Sequence, residues 1–349
     1  MENKEIMKLF LGKGASLDSA VLEYFSNNDI ALMSFLEKAT SKLPPIITLD
    51  YVFKTMGVLP PEIELKPIYP SHFDKKKVSS EDAVSKWTEK YSFYKKRLSD
   101  KMSSLFSINR TSSQQSFSLI AAVSEKIDKG TIEIEDSSGS LRVSVGKDDY
   151  EDMLEGDILG FECVRRPDGI SVNRVVYPDI PLKREVGKSL SRANLIFVSN
   201  PSGIDASKSS ECSGDKECTF VFMSAAPDNF QPNHVTVDTA SIMKVSGITI
   251  LMCPWKNISS YIDNWKTTEN VAVNILKRRD ILPGASVKDS GFWIGSTFLD
   301  DIPDIFVTDN ESDVFSSNYK GVTILSVGGP ANAWKIDLKT REINKADFS

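Results

Sequence analysis

The chain has 349 residues, 40% hydrophobic and 26% charged, with a formal charge of -6. Its length exceeds one typical domain and predicts about two or three. The acidic balance argues against a broad DNA-coating surface but leaves room for local basic patches. Only His72 and His234 supply imidazole, so a site that needs several histidines cannot be built within this chain. No apolar run approaches the ~18–20 residues of a membrane span, and the opening MENKEIMKLFLGKG has no signal-peptide core. Cytoplasmic residence without a membrane partner is the expectation. Cys163, Cys212, Cys218 and Cys253 lack CxxC spacing and read as reduced structural thiols.

Residues 1–58 read as a small helical module that caps the protein or docks something. NKEIMKLFLGKG, SLDSAVLEYFSNN and DIALMSFLEKATSKL carry apolar residues three and four apart, and TLDYVFKTMG reads as a last short helix. Residues 59–80, rich in proline and lysine, have linker composition. A helix is predicted over 80–105, with Trp87, Tyr91, Tyr94 and Leu98 on one face and Lys95, Lys96 and Arg97 as a basic patch. That aromatic face fits core or docking surface better than a stacking platform for nucleic acid.

Alternation takes over in residues 106–182. FSLIAAVSEKI, GTIEIEDSSGSLRVSVG and GDILGFECVRRPDGISVNRVVYP give about five short strands, with turns near 137–139 and 167–169. That count predicts a small barrel of the OB type. Single-strand-binding barrels use exposed aromatics and cations; here Arg142, Arg165 and Arg166 stand almost without aromatics, which favours a scaffold barrel.

Residues 183–349 read as one α/β or β-sandwich domain. NLIFVSN, CTFVFMS, GITILMC, DIFVT, GVTILSVGG and AWKIDLKT are its strand candidates, and NVAVNILKRRD is a helix. In PDIFVTDNESDVFSSNYKG a strand runs into a polar loop, where α/β folds place their chemistry. Asp309, Asn310, Glu311 and Asp313 are therefore candidate site residues.

Taken in order, the helical module, KWTEKYSFYKKRL, the barrel stretch GTIEIEDSSGSLRVSV…MLEGDILGFECV, YPDIP, LKRRDILP, DIPDIFVT, YKGVTILSVGG and AWKIDLKT resemble one family over most of the chain. It is the small subunit of the archaeal family-D DNA polymerase, related to the B subunits of eukaryotic replicative polymerases. The resemblance implies an α+β multidomain chain: a helical module, an OB-type barrel and a calcineurin-like phosphoesterase domain, a two-sheet β-sandwich with flanking helices. In the archaeal subunits that domain supports a metal-dependent 3′→5′ exonuclease. Two cations held by Asp, Asn and His activate water there and hold the scissile phosphate.

Each motif is altered in this chain. Asn200 and Ser202 stand where the pattern has Asp-x-His. The Gly-Asp unit has no evident counterpart: too few residues separate Asn200 from Asp228 for a βαβ-like unit of ~30 or more, and Gly214-Asp215 lies in a polar loop. Asp228 matches the final acid of Gly-Asn-His-Asp, with Ala225 and Ala226 at its Asn and His. Pro254 and Trp255 follow the strand that normally ends near a His, and Asp309, Asn310, Glu311 and Ser312 fall on Gly-His-x-His.

The resemblance therefore implies a non-catalytic accessory subunit of a replicative DNA polymerase that docks the large catalytic subunit, with no cofactor. Its DNA-contact candidates are Lys95, Lys96, Arg97, Arg142, Arg165, Arg166, Lys277, Arg278 and Arg279. One alternative is a diverged Mn²⁺- or Mg²⁺-dependent exonuclease or phosphodiesterase using Asp228, His234 and Asp309. Another is a free-standing single-stranded-DNA-binding protein acting through the barrel.

Overall fold

The computed structural model describes residues 3–26, 29–39, 43–48, 51–52, 55, 63–68, 80–128, 130–189, 193–204, 218–226, 234–284 and 297–349. In the N-terminal module α1 (Asn3–Leu11), α2 (Ser19–Ser26) and α3 (Asp29–Lys38) turn apolar faces toward one another. Phe10, Phe25 and Phe35 meet at the centre, Phe10 stacked on Phe25 at 5.9 Å. Strands β1 (Ser16–Leu17) and β2 (Ile46–Ile47) pair in parallel beside them.

The segment expected to be a linker holds a strand, β3 (Glu64–Pro67). Its proline falls on an edge strand, where a missing N–H is tolerated. Helix α4 (Ser80–Ser99) follows; its face of Phe93, Tyr94 and Leu98 packs on Ile120, Ala122, Ile158 and Val176 of the barrel.

The barrel comprises β4 (Ser116–Asp128), β5 (Thr131–Asp136), β6 (Gly139–Ser144), α5 (Lys147–Asp152), β7 (Ile158–Arg166) and β8 (Gly169–Val176). It closes in the order β4-β5-β6-β8-β7, with β6 and β8 parallel and β4 pairing both β5 and β7. Period-2 alternation sends Ile132, Ile134, Val143, Leu159 and Phe161 inside. The outward Glu133 and Arg142 make a cross-strand charge pair.

Two mixed sheets complete the chain. One runs β11 (His234–Thr236), β10 (Cys218–Phe222), β9 (Asn194–Val198), β17 (Ala333–Asp337), β18 (Ile343–Ala346). The other runs β15 (Phe315–Tyr319), β16 (Val322–Ser326), β14 (Ile305–Thr308), β13 (Ile248–Met252), β12 (Ser241–Val245), β3. They enclose one core that includes Phe197, Val221, Met243, Ile250, Val307, Leu325 and Trp334. Because β9, β10, β13, β14 and β16 are fully or mostly buried, they read as continuous apolar runs rather than alternations.

After β13 come two short helices, α6 (Trp255–Ile258) and α7 (Ile262–Trp265), then α8 (Thr268–Arg278), which covers the outer face of the second sheet. The Thr267 hydroxyl caps α8 by accepting from the Asn270 N–H at 3.1 Å. Arg279 ends it in the left-handed conformation, φ 53°.

The barrel and the two-sheet domain meet in a polar seam. Arg278, 1% exposed, donates from Nε to Asp157 at 3.0 Å and reaches the Asp152 carbonyl and Asn274. Lys277 pairs with Asp152 at 3.0 Å. On the α4 side, the Tyr94 hydroxyl donates to Asp280 at 3.1 Å, Lys90 pairs with Asp280 at 3.2 Å, and Phe93 meets Phe298 at 4.1 Å. Backbones touch as well: at Gly156 (φ 87°) a Cβ would lie 2.5 Å from the Gly284 carbonyl oxygen, so only glycine fits.

Candidate functional site

The carboxyl ends of β9, β10, β13 and β14 gather at one end of the two packed sheets. Parallel pairing of β9 with β10 and of β13 with β14 aligns each set of ends. Cross-links join the loops that follow. The Ser199 hydroxyl donates to Glu311 at 2.7 Å, and Ser224 donates to the Ser199 carbonyl at 2.9 Å. The Trp255 N–H donates to Asp309, fixing the start of α6. The Asn310 amide donates to Thr268 at 2.8 Å, while its Oδ1 accepts from the Ser312 hydroxyl at 2.7 Å.

Asp309 and Glu311 bring two carboxylates to this end without a bonded cation among the described residues. Burial raises the Asp309 carboxyl above its ordinary value, and the Trp255 N–H only partly offsets it. Burial likewise pushes the Cys253 thiol up, with Asp309 adding to the effect. A hydroxyl pointing at a carboxylate and an amide pointing at a hydroxyl satisfy one another within the loops. Thr308, fully buried, keeps an Oγ1 with no hydrogen-bond partner among the described residues.

The structure distributes the residues singled out in the sequence. Asn200, Ala225, Ala226, Pro254, Asp309, Asn310 and Ser312 lie at the strand ends, as does the exposed Ser202, whose N–H closes a local turn onto Asn200 Oδ1 at 2.9 Å. Asp228 and Gly214-Asp215 fall outside the described residues. Asp309 follows β14 of the second sheet, whereas His234 belongs to the first. It opens the edge strand β11 opposite Phe220, and its ring lies 6.1 Å from Phe222 on the outer face of the sheet. Among the described residues no group of three or more His, Cys, Asp or Glu side chains could hold a metal ion. Ser199, Ser224, Trp255 and Thr268 were not anticipated as parts of this cluster. A signal existed for Ser199 and Ser224, each a small polar residue just after an apolar strand.

The basic candidates divide into exposed and engaged groups. Lys95, Lys96, Arg142 and Arg166 are exposed. Arg97 pairs with Asp300 at 3.0 Å and lies over the Phe93 ring at 3.5 Å. Arg165 donates to the Thr111 carbonyl at 3.0 Å. Lys277, Arg278 and Arg279 form part of the seam rather than a DNA-facing patch, which corrects that expectation. Arg278 is packed between Tyr177 and Trp265, Lys277 lies over Tyr177 at 3.7 Å, and Arg279 donates to the Asp300 carbonyl. Burial lowers Arg279 to about 10.

Cys163, Cys218 and Cys253 are buried, Cys163 and Cys253 as free thiols, and Cys212 lies outside the described residues. Among the described residues no helix is long and apolar enough to cross a membrane.

No family model matches the chain, and no curated protein matches it. Among the solved structures that match are two with weak structural similarity. Vps29 from Entamoeba histolytica, complexed with zinc, is 9% identical over 45% of this chain and 99% of its own, with a TM-score of 0.27. A Thermotoga maritima protein solved by NMR is 10% identical over 44% of this chain and 96% of its own, with a TM-score of 0.25.

Proposed function

We propose that the chain is a non-catalytic accessory subunit of a replicative DNA polymerase, similar to the family-D small subunit, which offers its large catalytic partner a rigid platform. The observation that carries this reading is the bonding at the strand ends. Ser199 is bonded to Glu311, Asn310 to Thr268 and Asp309 to the Trp255 N–H, so the polar groups at these family positions hold their own loops in place. The barrel order, with a helix between its third and fourth strands and parallel contact of the third with the fifth, supports an OB-type assignment. Two packed mixed sheets with clustered carboxyl ends are consistent with a phosphoesterase-like framework. The buried ion pairs of the seam support rigidity.

Co-expression with a family-D-type large subunit tests the proposal. The two chains are expected to co-elute as one complex without any added hydrolytic activity from this chain. A chain that stays apart from that subunit at micromolar concentrations overturns it. The second reading, a diverged metal-dependent exonuclease, draws on the carboxylates Asp309 and Glu311 at the strand ends; hydrolysis of DNA with Mn²⁺, lost in Asp309→Asn, would establish it instead.

A further inference from the structure

The edge strands of the two sheets differ in how they are protected. The first sheet ends in β11 and β18, the second in β15 and β3. Natural edges resist pairing with other chains by being short or by carrying charge or proline. β11 is three residues long, and β3 carries Glu64, Lys66 and Pro67. β18 carries Lys345, and pairing it antiparallel with a second copy over its full length would set Glu342 opposite Asp347. β15, Phe315-Ser316-Ser317-Asn318-Tyr319, has neither charge nor proline.

The turn that follows β15 shows which of its backbone groups are open. Lys320 and Gly321, at φ 49° and 83°, form a two-residue hairpin turn into β16, with Tyr319 opposite Val322. In such a hairpin the residues flanking the turn exchange both backbone bonds, and bonded and non-bonded pairs then alternate. Phe315, Ser317 and Tyr319 therefore direct their N–H and C=O groups to β16, while Ser316 and Asn318 turn theirs outward. Both residues are exposed, and no hydrogen bond reaches these outward groups among the described residues.

A second copy of the same strand fits this edge. Set antiparallel about a two-fold axis at Ser317, Ser316 of each copy falls opposite Asn318 of the other, and the outward groups bond one another. Phe315 then falls opposite Tyr319 in two non-bonded pairs, where side chains approach most closely and aromatic pairs are favourable. The antiparallel sense also sets Asp313 beside the other copy's Lys320, which its own Asp179 already holds. A parallel pairing would instead set Asp313 beside Asp313 and Lys320 beside Lys320. We propose that two copies of the chain join through β15 in this antiparallel register, merging their six-stranded sheets into one. Because β15 follows closely on the loop of Asp309 to Asp313, the interface lies beside the strand-end cluster. The proposal goes beyond the polymerase reading and does not rest on it.

Sedimentation equilibrium on the full chain tests the pairing. The wild type is expected to sediment at twice 38.7 kDa at micromolar concentration. Ser316→Lys with Asn318→Lys places like charges opposite one another at both bonded pairs and should weaken dimerisation about tenfold or more. Ser316→Lys with Asn318→Glu places opposite charges there and should restore it. Both variants lose the Asn318 amide, whose oxygen accepts from the Gly321 N–H at 3.0 Å, so the difference between them reports charge across the axis. Three results overturn the proposal: a monomer throughout the micromolar range; a dimer that both variants leave intact; or a dimer that both variants lose.

Discussion

The seam between the barrel and the two-sheet domain and the loop cluster at the strand ends use the same kinds of residue, yet their carboxylates sit in opposite electrical surroundings. In the seam, burial works against the ionised Asp280, but Lys90, the Thr297 hydroxyl and the Leu282 N–H overcome it and hold the carboxyl below its ordinary value. Asp152 is depressed in the same way, burial being outweighed by Arg278, Tyr177 and Lys277. At the strand ends burial prevails over the Trp255 N–H, the residue's own N–H and Lys256, and the Asp309 carboxyl is raised. Residue type therefore does not distinguish a structural charge from a site-like one. What decides is whether a cation is built in beside it.

The largest test of this contrast is steric. Gly156→Val drives a side chain into the Gly284 carbonyl at a left-handed position, and the folded chain should lose more than about 4 kcal/mol or fail to accumulate. Arg278→Ala strands Asp157 without its cation inside the seam, and the expected cost is about 3–5 kcal/mol, read as a fall in the urea midpoint. A fall of less than about 1 kcal/mol would mean that the barrel and the two-sheet domain are not welded by this pair.

Tyr94→Phe removes the hydroxyl bonded to Asp280 and should cost about 1.5–3 kcal/mol. The pH dependence has a definite sign. Asp280 and Asp152 are depressed in the folded state, so their contribution is complete above the unfolded carboxylate pKa of about 4 and is lost as pH falls through the folded values. Asp280→Asn should therefore flatten the acid limb of a stability–pH curve.

Asp309 carries the opposite sign. Its raised carboxyl imposes a penalty that begins as pH rises through the unfolded pKa and is complete above the folded one. Asp309→Asn keeps an oxygen for the Trp255 N–H and should change stability at neutral pH by less than about 1 kcal/mol, in the favourable direction. The smallest expected effect comes from metal: millimolar Mn²⁺ should leave the thermal midpoint within about 1 °C. A rise of several degrees that Asp309→Asn abolishes would count for the hydrolytic reading.

Much of the architecture was legible in the sequence because burial leaves a periodic trace. The runs NLIFV, CTFVF, ITILM, IFVT and VTILS all became buried strands. The barrel hairpin turned where Ser137 to Gly139 predicted. What escaped was mostly edge structure. β3, β15 and β18 each pair on one side only, so exposed polar residues interrupt their pattern. β12 was readable: Ser246-Gly247, both at positive φ, is a two-residue hairpin turn between SIMKV and ITILM. The strand-end cluster was half legible. The order of Asp309, Asn310, Glu311 and Ser312 marked the loop, but their partners Ser199, Trp255 and Thr268 come from distant segments that pairing alone brings near.

By itself the sequence determined the succession of helical module, barrel and α/β segment, the scarcity of histidine and the aromatic seam on α4. Each is a local matter of composition or period. Only the tertiary structure decided which cations are free. Lys277, Arg278 and Arg279 form a basic run indistinguishable on paper from Lys95, Lys96 and Arg97, yet docking of the barrel against α8 buries most of the first run among Asp152, Asp157, Tyr177 and Asp300. In the second, Lys95 and Lys96 remain in solvent. The difference is physical: a long cationic side chain satisfies its charge wherever a carboxylate and an aromatic face come within reach, and only the three-dimensional path of the chain sets that distance.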